Sequence, residues 1–363
     1  VLAEELKGIR QARNENQADF ATWLNSQLDR RYTKAQISRW ECGSDPIPSV
    51  LEVLLREKTP VPGKPSLTTT ILSVANQKGG VGKTTTAVNI SYGLAKKGYR
   101  VLMIDVDPQA NLTIHVGQNP FSLDREKKTL YYALFQKNEP AEGTNAHQGI
   151  FDAEEPEFSL SEFIIPASES VPLFLVPSSI SLASADMELL SEPGADRVLK
   201  EALRSVSKDF DFIVLDCPPQ FGYLTTNALT ASHLTLIPVQ CELLAQVGIP
   251  LLFNTISKIR RRGNRNLEVL GILPTMANLR QTEDRNVLKA IKDTWGDKIT
   301  VFPSVARSTV YAQSTAAGRP TAEFAPNAAG MEAYHAVVDS LISHARRRTD
   351  ADPLASEEDV HGA

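Results

Sequence analysis

The stretch Ile71–Ala95, ILSVANQKGGVGKTTTAVNISYGLA, runs from a short apolar segment through a glycine-rich turn into helical periodicity. Its centre matches the phosphate-loop pattern G-x-x-x-x-G-K-[ST] in modified form, placing Gly79, Gly80, Val81, Gly82, Lys83, Thr84 and Thr85 between a predicted strand and a predicted helix. Glycines let backbone N–H groups close in on phosphate oxygens, and a helix N-terminus adds roughly half a positive charge. Lys83 is expected to bridge the β- and γ-phosphates of a nucleotide, and the Thr84 hydroxyl to bind Mg²⁺. One lysine is enough for that task, so Lys78, also in the loop, needs a separate explanation.

Working outward, further short apolar runs follow: RVLMIDVD (100–107), LFLVPSS (173–179), FDFIVLDCPP (210–219), HLTLIPVQ (233–240) and LEVLGILPTM (267–276). Nearly continuous apolar strands are those of a parallel sheet buried on both faces. Helical periodicity fills the intervals at Thr84–Lys97, Asp196–Val206, Leu244–Arg262 and Glu283–Trp295, and a last helix is expected around Met331–Arg348. The alternation predicts an α/β fold with a doubly wound, mostly parallel sheet and a phosphate loop.

In such a sheet every parallel strand ends on the edge that carries the phosphate loop, so Asp105, Asp107 and Asp216 are expected to converge on the nucleotide. Asp216 suits the Mg²⁺ shell, and the Cys-Pro-Pro after it makes a stiff turn able to sense the γ-phosphate. Asp105, nearer the sheet interior, suits support of the metal, and Asp107, farther out, suits orientation of the attacking water. Either acid could instead cap the helix that follows.

The chain has 363 residues, 42% hydrophobic and 22% charged, enough for a sizeable core and more than one domain. A formal net charge of -5 argues against wholesale coating of nucleic acid, though not against a local basic patch. Cys42, Cys217 and Cys241 lack CxxC spacing, so neither a disulfide framework nor a zinc site is expected. No apolar run approaches the ~20 residues of a membrane span, and the expectation is a soluble, cytoplasmic protein. Composition divides the chain into a helical segment at 1–58, a Pro/Gly linker at 59–69, the α/β domain at 70–348 and an acidic tail at 349–363. The polar, acidic stretch 139–160 reads as a surface insertion.

Together KGGVGKTT (78–85), DVDPQANLT (105–113) and DCPP (216–219) resemble the deviant Walker A ATPases, and specifically the ParA/Soj-type partition ATPases, over about residues 70–347. The resemblance implies ATP and Mg²⁺ as cofactors and an ATP-dependent homodimer in which Lys78 reaches the phosphates of the partner subunit. A second cation there would neutralise charge on the transferring phosphoryl group, as an arginine finger does. The resemblance also implies nonspecific DNA binding on the nucleoid, hydrolysis stimulated by a ParB-like centromere-binding protein, and no membrane partner. ILPTMAN (272–278) and VFPSVARSTVYAQSTAAGRP (301–320) look like the adenine side, making Thr275, Met276 and Pro303 candidate base contacts, with a core role for Met276 as the alternative. Basic residues near KIRRRGNRN (258–266) bind DNA in such proteins, so Arg260, Arg261 and Arg262 are candidates; basic residues at a helix C-terminus also simply complement its dipole.

The N-terminal pattern QADFATWL…KAQISRWECG resembles the helix-turn-helix of phage-repressor-type regulators. On that reading Lys34, Gln36 and Arg39 face DNA, Arg30 and Arg31 meet phosphates, and Ile37 and Trp40 pack inward. The connector NSQLDRRYT (25–33) is longer than the usual tight turn. A helical bundle used for dimerisation or docking is the alternative.

Three rivals are open to the whole chain. A MinD-like positioning ATPase needs a basic amphipathic C-terminal helix, whereas the residues after Arg348 are acidic. An iron–sulfur reductase needs paired cysteine ligands, which these spacings do not offer. A nucleotide-sensing transcriptional regulator could dispense with catalysis, yet Lys78, Lys83, Asp107 and Asp216 are all in place.

Overall fold

The structure, a computed structural model, describes residues 3–13, 15–28, 30–45, 47–48, 51, 67–135, 160–190, 194–242 and 245–351. The expected linker through residue 66, the acidic insertion at 139–159 and the tail from 352 lie outside the described residues. The chain divides into two compact units, the second beginning at Leu67.

In the first unit, α1 (Ala3–Ala12), α2 (Gln17–Leu28) and α3 (Lys34–Glu41) surround a small core of Leu6, Ile9, Phe20, Leu24, Ile37, Trp40 and Leu51. Ile37 and Trp40 pack inward, 0% and 4% exposed. Three helices this short need help to hold together. Glu41 supplies it: the Arg10 guanidinium donates to both its oxygens at 2.6 and 3.1 Å, and Gln17 Nε2 donates at 2.8 Å, tying α1 and α2 to α3. Burial pushes the Glu41 carboxyl up, but these donors outweigh it and leave it below its usual range. Because α2 runs on to Leu28, the connector to α3 is shorter than sequence suggested, and Asn25 braces it through Tyr32 N (2.6 Å) and Tyr32 O (2.9 Å).

The second unit runs β1 (Thr70–Val74), α4 (Lys83–Lys96), β2 (Val101–Asp105), α5 (Asn111–His115), α6 (Pro120–Arg125), α7 (Leu130–Phe135), β3 (Ile165–Pro166), β4 (Leu173–Val176), α8 (Ala185–Leu189) and α9 (Val198–Arg204). It continues with β5 (Phe212–Asp216), α10 (Tyr223–Ala231), β6 (Leu234–Gln240), α11 (Ala245–Arg262), β7 (Glu268–Thr275), α12 (Thr282–Trp295), α13 (Val310–Ala316), α14 (Thr321–Phe324) and α15 (Met331–Ala351). The strands form one seven-stranded sheet in the order β3-β4-β2-β5-β1-β6-β7, parallel except for the β3–β4 pair.

β1, β2, β4 and β5 are buried along their whole length, which explains why their sequences run apolar without alternation. Helices cover both faces, and α4 lies against α15 so closely that a Cβ on Gly93 would come within 3.0 Å of Val338. β1 sits between β5 and β6, its last residue Val74 in register with Asp216 on one side and Leu236 on the other. The turn after β1 is therefore flanked by the exits of β5 and β6. Among the described residues no helix is long and apolar enough to cross a membrane.

Candidate nucleotide site

The turn from β1 to α4 needs two residues in left-handed backbone, Gly80 (φ 74°) and Gly82 (φ 84°), where a side chain would be strained. Four hydrogen bonds shape it. Asn76 donates to Pro238 O on β6 (2.6 Å) and accepts from Lys78 N (3.0 Å), Thr275 Oγ1 donates to Val81 O (2.8 Å), and Lys83 Nζ donates to Lys78 O (3.2 Å). Pro219, from the Cys-Pro-Pro turn, stands 4.0 Å from where a Gly79 Cβ would lie. Strands β1, β5, β6 and β7 thus all hold the loop.

Lys83 is buried, and burial lowers its ammonium's pKa against the opposing pull of Asp216, Cys217 and Asp107. Asp216 is fully buried, and neither of its carboxylate oxygens has a hydrogen-bond partner among the described residues. Burial, and then neighbouring Asp105, pushes it well above the usual carboxylate range, with the Thr84 hydroxyl and Lys83 acting in the other direction. A buried, unpartnered carboxylate is costly, and native structures retain one where something else satisfies it. An oxygen-ligand cation is such a group: Asp216 beside Thr84 offers the hard donors that Mg²⁺ takes.

Asp105 is a different case. Its Oδ2 accepts from Thr113 N (2.9 Å) and Thr113 Oγ1 (2.7 Å), and its Oδ1 accepts from Asp107 N (3.2 Å). Both oxygens serve to fix the chain after β2, so Asp105 supports Asp107 and α5. Burial nevertheless pushes its carboxyl up to about 7, the Thr113 bonds restraining the rise. Asp107 lies just beyond the strand, 7% exposed, its Oδ1 accepting from Gln109 N at 2.9 Å.

Lys78 does not enter its own loop. Its ammonium pairs with Glu242, beyond the end of β6, and both side chains are partly exposed, at 43% and 32%. Thr85 lies in the first turn of α4. Thr275 is 2% exposed and its hydroxyl donates to Val81 O, so it braces the loop. Met276 leaves β7 in left-handed backbone (φ 53°), and the 303–306 segment runs beside it through Val305 N to Pro274 O (2.8 Å) and Ala277 N to Val305 O (3.0 Å), with Pro303 exposed.

Of the predicted DNA contacts, Lys34 and Arg39 are exposed, and Arg39 pairs with Asp45 at 3.0 Å. Gln36 closes a capping box: it accepts from Thr33 N (2.9 Å) while Thr33 Oγ1 accepts from Gln36 N (3.4 Å). Its carbonyl oxygen caps α3, which leaves only its amide N–H₂ for a base edge. Arg260, Arg261 and Arg262 are exposed in the last turn of α11, towards the edge where β6 and β7 begin, away from the phosphate loop.

Sequence reasoning missed Glu242, Thr113 and Asn76. Glu242 was reachable, since the strand-end rule that selected Asp105 and Asp216 applies equally to the exit of β6. Thr113 bonds Asp105 through both its N–H and its hydroxyl, and Asn76 bonds Pro238 O and Lys78 N, pairings that their residue types alone do not announce.

A glycine-rich loop between a central parallel strand and a helix, with a buried lysine and a strand-end aspartate, defines a P-loop nucleoside triphosphatase. A family model described as an AAA domain matches residues 69–269. The sporulation initiation inhibitor protein Soj of Bacillus subtilis is 35% identical over 266 residues, spanning 73% of this chain and 94% of Soj. The chromosome partitioning protein ParA of Caulobacter vibrioides is 31% identical over 282 residues, spanning 77% and 96%. A crystal structure of cobyrinic acid a,c-diamide synthase from Mycobacterium smegmatis with bound ADP and magnesium superposes with a TM-score of 0.61 at 34% identity, covering 76% of this chain and 95% of that one. The chain belongs to the ParA/Soj family of partition ATPases, and the enzyme is an ATPase.

Proposed function

We propose that this protein is an ATP- and Mg²⁺-dependent DNA partition ATPase that dimerises on binding ATP, with Lys78 serving the partner subunit's nucleotide. The observation that carries this reading is the separation of the two lysines. Lys83 is buried in its own loop, whereas Lys78 stands at the rim on Glu242, partly exposed. A cation outside its own phosphate site, held by an exposed pair worth at most about 1 kcal/mol, is free to move to phosphates presented by a second subunit.

Within one subunit, the N–H groups around Gly80 and Gly82 and the start of α4 receive the phosphates, and Lys83 gives a charge-assisted bond. Thr84 and Asp216 would hold Mg²⁺, which when bound neutralises charge on the phosphate oxygens. Asp107, fixed through Asp105 and Gln109, orients the attacking water. Thr85, Met276 and Pro303 line the approach to the rest of the nucleotide.

Nonspecific DNA contact through Arg260, Arg261 and Arg262, stimulation by a ParB-like centromere-binding partner, and operator reading by Lys34 and Arg39 complete the proposal. ATP turnover measured with and without DNA and a centromere-binding partner tests it. Turnover that neither addition changes would leave an ATPase without the partition role.

A further inference from the structure

The sheet has a second charged end. A cavity of about 550 Å³ opens where β6 and β7 begin, lined by His233, Arg260, Arg265, Glu268, Arg347 and Arg348 among others. The strands are parallel, so this edge is opposite the phosphate loop; β7 alone, eight residues at about 3.3 Å each, separates the two by roughly 25 Å.

Arginines at helix C-termini often do no more than complement the dipole, and both α11 and α15 end here. The charges do not balance on that account. Four guanidiniums line the cavity against the one carboxylate of Glu268. The two helix ends add only about half a negative charge each, leaving roughly two positive charges uncompensated among the described residues. Among the described residues Arg260, Arg265 and Arg347 have no ion pair.

Two further groups are fixed in place. Arg348 donates to Thr69 O (3.4 Å) and Thr70 Oγ1 (3.3 Å), which anchors it to the start of β1. His233 Nδ1 accepts from Ile71 N at 2.9 Å, and burial, reinforced by Arg348 and Lys200, holds its pKa down at about 3. The neutral ring therefore keeps its proton on Nε2, as a donor. Guanidiniums converging with a neutral N–H donor match clustered phosphate oxygens, which accept bidentate bonds. The lining comes from β6, β7, α11, α15 and the loop after α11, and excludes Arg261 and Arg262. That concave set suits a small anion, whereas a convex duplex would meet the exposed α11 run.

We propose that this cavity is a second anion site, taking a small ligand that carries two or more linked phosphate groups. The proposal does not rest on the partition reading. Its test uses the full chain carrying Lys83→Ala, which silences the phosphate loop, titrated calorimetrically at low salt with inorganic tripolyphosphate, inorganic phosphate and a short random duplex. One saturable tripolyphosphate site is expected, with inorganic phosphate weaker. Adding Arg265→Ala and Arg347→Ala should weaken tripolyphosphate by about a hundredfold or more, as loss of two charged hydrogen bonds requires. Adding Arg265→Lys and Arg347→Lys instead should give an intermediate affinity, and this pair decides the matter where the alanine variant fails to fold. Absence of tripolyphosphate binding, binding that ignores both pairs of substitutions, or binding of the duplex alone would overturn the site.

Discussion

Lys78 and Glu242 form an ion pair across the mouth of the phosphate loop, joining the exit of β1 to the exit of β6. Any role for Lys78 on a second subunit's nucleotide requires this pair to open. Glu242→Gln removes the competitor and should favour ATP-dependent dimerisation by about twofold to fivefold, the range set by a partly exposed pair. Lys78→Ala should still bind nucleotide while dimerisation and hydrolysis fall. Sedimentation with ATP checks both, and a Lys78→Ala chain that dimerises like the parent removes the cross-subunit role.

Asp107→Ala should retain Mg·ATP and dimerise, yet hydrolyse far more slowly, because it loses a water-orienting group and no phosphate contact. Single-turnover kinetics would show a slow chemical step with unchanged nucleotide affinity. Parent-like turnover would transfer the role to another group.

Thr275→Val keeps shape and removes the hydroxyl that satisfies Val81 O. An unsatisfied buried carbonyl costs about 1–3 kcal/mol, so the loop should open more often and nucleotide bind about five- to a hundredfold more weakly. Amide exchange across Gly79–Lys83 should rise in parallel. Weaker binding without faster exchange would indicate direct contact with the nucleotide.

His115 is 1% exposed, with Thr315 Oγ1 at 3.3 Å from its Nε2, and burial lowers its pKa to about 4. The unfolded imidazole titrates near 6.5, so between about pH 6.5 and 4 the unfolded chain binds the extra proton, and stability is lost as pH falls. Asp105, raised to about 7, has the opposite slope over about pH 4 to 7, since there the folded state keeps the proton. Comparison with His115→Gln isolates the histidine: from pH 7 to pH 5 the difference in unfolding free energy should move in the variant's favour by on the order of 1–2 kcal/mol. A difference that stays constant with pH would mean that His115 takes up its proton at the same pH in the folded chain as in the unfolded one.

Gln36→Glu keeps the capping box, since Glu serves at that position as well as Gln, but removes the amide donor. Helix content should be unchanged. If Gln36 contacts a base, operator preference falls by about 1–3 kcal/mol; if it only caps, preference stays and Arg39→Ala is the substitution that lowers it. Replacing Arg260, Arg261 and Arg262 together should instead weaken every duplex and flatten the salt slope by about 0.9 per lost phosphate contact. Titrations on operator and random duplexes at two salt concentrations separate these outcomes.

The parallel sheet was legible because burial on both faces removes alternation, leaving runs such as FIVLD (212–216) that read as strands unaided. The phosphate loop was legible because phosphate binding imposes a contiguous pattern of residue types. The bracing role of Thr275 was hidden for the opposite reason: its partner Val81 is 194 residues away, and neither neighbourhood shows that one hydrogen bond joins them. Asp105 and Asp216 look equivalent as strand-end acids and stand in register, yet Thr113 satisfies one and leaves the other open. Gln36 illustrates a residue type with two uses, in which the local one, capping, is met first.

The Thr275–Val81 brace also orders events in time. At a synthesis rate of about 5–20 residues per second, the 194 residues between them take roughly 10–40 seconds to emerge, so every growing chain passes through a period with its phosphate loop made and unclamped. Chains stalled before β7 lack the clamp altogether. The clamp is therefore the last part of the loop's support to be made, arriving with the strand that completes the sheet.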